Sequence, residues 1–137
     1  MDSLMHFGSG DTSMNADAFA DRLARVRRRF VSTLQGKIDD THASIPKLSA
    51  VAPAAAAAVG EAYRCMHSIV GVGPTVGSPA TGRAARDVED ALRPAQNERR
   101  GLKEDEILVL KRRLQDLREA AARELHVFYL ELTATHS

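Results

Sequence analysis

The chain has 137 residues, 44% hydrophobic and 27% charged, with 19 basic residues against 18 acidic ones. Near balance of charge argues against a dedicated nucleic-acid binder. A single cysteine excludes an internal disulfide or a cysteine-based zinc site, and no run of about 18 apolar residues is present to span a membrane.

Residues 1–14, rich in Gly, Ser and Asp, lack the basic and apolar regions of a signal peptide and read as a flexible tail. The remaining 15–137 read as one helical domain in the cytoplasm, with no nucleic-acid or membrane partner. Phe19, Leu23, Val26, Phe30, Leu34, Ile38 and Ile45 recur at steps of three, four and seven and predict a long amphipathic helix. Asn15 or Asp17 can cap its start, the Pro46 region ends it, and the basic run RVRRR within it reads as a solvated face.

Ser49, Pro53 and the alanine run that follows predict a second helix, passing through His67 and ending or kinking near Gly71, Gly73 and Pro74. Ser78-Pro79 starts a third, capped by the serine and closed at Pro94, with Arg83, Arg86, Asp87 and Asp90 facing water. A fourth runs from Leu102 to Glu131, carrying Ile107, Leu110, Leu114, Leu117, Ala121, Leu125 and Phe128, with Leu132 just beyond on the same stripe. The expected fold is therefore all-α: an antiparallel up-down four-helix bundle, with room for a short extra N-terminal helix.

Helical residues turn by about 100° each. With His67 at zero, Ala58, Ala62, Cys65, Ile69 and Val76 gather on the opposite side as the buried stripe, which leaves the histidine out of the core. Gly60, Tyr63, Arg64, Val70 and Gly71 lie around it, and the two glycines leave the imidazole unshielded. Metal binding fails because no His, Asp, Glu or Cys sits one turn away from His67. A Cys65–His67 dyad fails because residues two apart point to different sides of a helix.

His67-Ser68-Ile69-Val70-Gly71, followed by Gly77, resembles the signature of histidine-containing phosphotransfer domains and of the phosphoryl-accepting domain of chemotaxis histidine kinases. The resemblance implies that His67 accepts a phosphoryl group through Nε2 and passes it to a receiver-domain aspartate. It implies that Glu89 orients the imidazole, that Gly77 serves the turn after the His67 helix, and that Gly60, Tyr63, Arg64, Val70, Gly71 and Arg93 form the phosphoryl and docking surface. The implied partners are a histidine kinase and a response-regulator receiver domain; Mg²⁺ would come from the receiver, and the chain would carry no cofactor of its own. On this view the chain is a phosphoryl carrier rather than a stand-alone catalyst. Val70 stands where the family usually has lysine, and Arg64 or Arg93 would have to replace that charge. Two other readings compete: a bundle of the same fold that binds a kinase or receiver without carrying phosphate, and a protein that oligomerises through Leu110, Leu114 and Leu117.

Overall fold

The apolar spacings become helices in a computed structural model that describes residues 2–126, with side chains from residue 15 onward. Helix α1 (Asp2–Ala43) is followed by the short α2 (Ile45–Leu48), α3 (Ala55–Val72), α4 (Pro79–Glu98) and α5 (Glu104–Glu124). The only β pairing among the described residues is an isolated parallel bridge between Ser49 and Leu102.

Several boundaries differ from those expected. Residues 2–14 continue α1 rather than forming a separate tail, so neither Asn15 nor Asp17 begins the helix. Ser49 does not cap α3: its flanking residues Leu48 and Ala50 bond to Leu102 and its own carbonyl accepts from Ala52, and the helix starts only after Ala54, whose φ of 59° turns the chain sharply. Pro94 lies inside α4 instead of closing it. A proline there deprives the Asp90 carbonyl of its donor, but Leu92 and Ala95 on either side are fully buried and hold the helix to the core. Arg99, with φ 52°, ends α4, and the Arg100 amide donates to the Ala95 carbonyl as the chain turns away. The part of the last helix expected beyond His126, including Phe128 and Leu132, lies outside the described residues.

The core is built from Leu34 and Ile38 of α1, Leu48 of α2, Met66 and Ile69 of α3, Leu92 of α4 and Leu110, Leu114 and Leu117 of α5, all buried. Each such side chain contributes on the order of 2 kcal/mol relative to exposure. Those three α5 leucines are thus spent inside the chain and offer no free seam for a second copy. Phe19 and Val26, expected on the same stripe as Leu34, are exposed among the described residues, since α1 is about twice the length of the helices it packs on. Helix α1 packs against α3 and α5, and α4 packs against the same two. Neighbours run in opposite directions: Lys37 meets Ser68 and Thr41 meets Cys65, Gly60 lies beside Gln96, Ala80 meets Glu124, and Asp39 pairs with Arg118.

The start of α4 is capped from a distance. Ser78 holds the N-cap position, yet its hydroxyl makes no capping bond. Glu124, at the far end of α5, accepts from the Ala80 and Thr81 amides at 2.8 and 2.7 Å, satisfying two donors that a helix leaves open. Burial pushes the Glu124 carboxyl up, but the Thr81 and Ala80 amides and the nearby Arg83 outweigh it and hold it below its usual value. A depressed folded value means the stabilisation is present above the unfolded carboxylate value of about 4.3 and is lost as pH falls through the folded one. Glu124→Gln should therefore cost about 1 kcal/mol at pH 7. Urea melts from pH 7 downwards should show the two proteins converging in acid, below about pH 4; a gap constant with pH would contradict the charged cap.

Candidate functional site

His67 lies in the C-terminal half of α3, with 70% of its side chain exposed. Its helix turns the apolar side towards α1 and α4, leaving the imidazole at the seam between α3 and α4. Opposite it, on α4, Glu89 is only 7% exposed. A buried carboxylate needs partners, and Glu89 has three. The Tyr63 hydroxyl and the Arg93 guanidinium each donate to Oε1 at 3.1 Å, and His67 Nδ1 lies 3.3 Å from Oε2.

This geometry assigns the ring's protons. An ionised carboxylate only accepts, so Nδ1 must carry the hydrogen and Nε2 of the neutral ring is left with a free lone pair. Tyr63, one turn earlier, lies nearly parallel to the imidazole at 10°, with ring centroids 6.3 Å apart. Tyr63 and Glu89 thus brace the ring, most of which stays exposed. Glu89→Ala should release the ring to favour the Nε2–H tautomer, readable in long-range ¹H–¹⁵N spectra; a ring that keeps Nδ1–H would show that Glu89 does not orient it.

The other expected residues divide. Gly71 is exposed, and a methyl group added there would meet nothing within 4 Å, so that flank of His67 is open. Gly60 is not part of a bare patch. It is buried beneath the Arg64 guanidinium and the Gln96 side chain, each 3.4 Å from where its Cβ would be. The Arg64 guanidinium therefore lies back along α3 over Gly60, away from the imidazole. Arg93 faces the site but is held by Glu89 and Asp90; its proton is bound more tightly than usual, first through Tyr63 and then through Asp90. Val70 is half-buried between the two helices. Gly77 occupies the turn between α3 and α4 with φ 83°, a conformation that favours glycine. Cys65, expected in the core, is half-buried with its sulfur 3.9 Å from the Thr41 hydroxyl.

No family model, curated protein or solved structure matches this chain. The site is thus read from its own chemistry. Two groups near it were not singled out from sequence. Lys37 of α1 donates to Ser68, next to His67. Arg86 lines the same seam as Val70, and its spacing of three from Glu89 was the available signal, since such residues share a helix face.

Proposed function

We propose that this chain is a phosphoryl carrier of the histidine phosphotransfer type, with α1, α3, α4 and α5 forming an antiparallel four-helix bundle around the core. The closed order of helix contacts supports the bundle, since each of the four packs on two of the others and runs opposite to its neighbours. The observation that carries the functional reading is an exposed imidazole whose Nδ1 is tied to a buried carboxylate, so that Nε2 is the nitrogen not held by it.

In the proposed step, the Nε2 lone pair attacks the phosphorus of a receiver's aspartyl phosphate. The new N–P bond forms as the P–O bond to the aspartate breaks, and the carboxylate leaves with that electron pair. The ring keeps its Nδ1 hydrogen and becomes cationic, and Glu89 sits where it offsets that charge. Reversal delivers the group to another receiver. The receiver would contribute Mg²⁺ and most of the charge stabilisation, leaving this chain to supply a positioned nucleophile and a face to dock on. No helix among the described residues is long and apolar enough to cross a membrane.

The test is transfer from a panel of receiver domains charged with acetyl phosphate. The expected product is an acid-labile, base-stable label on this chain. Tight binding without any label would replace the carrier with the adaptor reading, which the apolar Val70 beside His67 would suit.

A further inference from the structure

One turn beyond His67, α3 and α4 enclose a groove of about 170 Å³ lined by Val70, Pro74, Pro79, Gly82, Arg83 and Arg86. Its floor is apolar and its α4 rim carries two arginines. A phosphoryl group on His67 would bring nearly two negative charges beside Glu89, so the cations within reach decide how well the site tolerates it.

Most of those cations are already committed. Arg93 is shared between Glu89 and Asp90, and the Arg64 guanidinium covers Gly60. Lys37 donates to Ser68, and Arg83 lies close enough to Glu124 to help lower its carboxyl. Arg86 differs. It is exposed and forms no ion pair or hydrogen bond among the described residues. It stands three residues before Glu89 on α4 and beside Val70, itself three residues after His67, so both spacings bring it to the imidazole's side of the seam.

We infer that Arg86 is the cation that faces a phosphoryl group on His67, supplying from α4 the positive charge that Val70 cannot supply from α3. The inference rests on the proposed carrier function. A flexible arginine with no acidic partner can swing to a new dianion without breaking an existing pair, and its fork matches phosphoryl oxygens. The groove beneath it keeps its stem on an apolar surface.

Phosphoramidate, a small donor that needs no partner protein, tests this on the full chain. The Nε2 lone pair attacks phosphorus, the P–N bond of the donor breaks, and the nitrogen leaves as ammonia. Rates of phosphohistidine formation and loss would be followed by ³¹P NMR for the wild type, Arg86→Gln and Arg86→Lys, with circular dichroism to check helicity. Arg86→Gln should form phosphohistidine about three- to tenfold more slowly, the size expected of one exposed charge near a dianion. Arg86→Lys should recover most of the rate, and the difference should shrink at about 1 M salt. Equal rates for wild type and Arg86→Gln overturn the role of Arg86 while leaving His67 as acceptor. A lysine variant as slow as the glutamine variant overturns a role based on charge. A wild type that takes no label overturns the carrier reading and this inference together.

Discussion

His67→Gln should abolish the label that the wild type takes from a charged receiver, while leaving the fold intact. The two halves of this expectation have separate causes. Glutamine offers an amide nitrogen whose lone pair is delocalised into its carbonyl, so no nucleophile remains. The imidazole is 70% exposed and its one hydrogen bond among the described residues is to Glu89, which keeps Tyr63 and Arg93 as partners after the change. The stability cost should thus be within about 0.5 kcal/mol, as for surface substitutions generally. Loss of label with an unchanged urea midpoint is the expected pair of results. Persistent label would mean that another residue is the acceptor.

Gly101→Ala should be the most damaging small change in the described chain, although it adds one methyl group far from His67. Gly101 lies in the connection between α4 and α5, buried against the segment that links α2 to α3. A Cβ there would stand 2.7 Å from the Ala50 Cα and 2.8 Å from both the Ala50 nitrogen and the Ala55 Cβ. Two of those atoms are backbone, so no rotamer change relieves the clash. The segments must separate, and with them the bonds from the Leu102 amide to the Leu48 carbonyl at 2.7 Å and from the Ala50 amide to the Leu102 carbonyl at 2.9 Å. Overpacking of this kind costs about 1–3 kcal/mol, and a weakened buried hydrogen bond adds about 1 more. A loss near 3 kcal/mol corresponds to a fall in Tm of roughly 10 °C for a chain of this size. The contrast is Gly71→Ala, where open space and a helical position predict a change between zero and a gain of about 1 kcal/mol. Thermal melts of the two variants would compare them directly; equal Tm values would contradict the close approach at Gly101.

The helices were legible wherever apolar spacing was regular, as in the Phe30–Leu34–Ile38 and Leu110–Leu114–Leu117 series, because burial of one stripe is what makes such a helix stable. Phase around a single helix was legible only coarsely. His67 faces outward and Ala62 and Ile69 inward as expected, but Met66 and Val59 are fully buried while Ala58 and Cys65 are only half-buried. The buried arc of α3 lies about 60° round from the predicted one, towards α4. A helix with neighbours on two sides is buried over a wide arc, and which two sides depends on partners that one helix's periodicity does not name. Cover by a long side chain is equally hidden, which is why Gly60 read as bare and lies under Arg64. Ser78 holds the α4 N-cap position as expected, but the bond that caps the helix is hidden for the same reason. Local sequence offers Ser78, whereas the acceptor that binds the amides, Glu124, is 44 residues from Ala80. Pairing of His67 with Glu89 came through the family resemblance, and the geometry now gives it a physical basis.

The most direct measurement is the identity of the phosphorylated nitrogen. With ¹⁵N-labelled histidine and phosphoramidate as donor, ³¹P–¹⁵N correlation should give one phosphohistidine, at Nε2 of His67, with Nδ1 still protonated towards Glu89. A phosphoryl group on Nδ1, on a different residue, or nowhere would contradict the account.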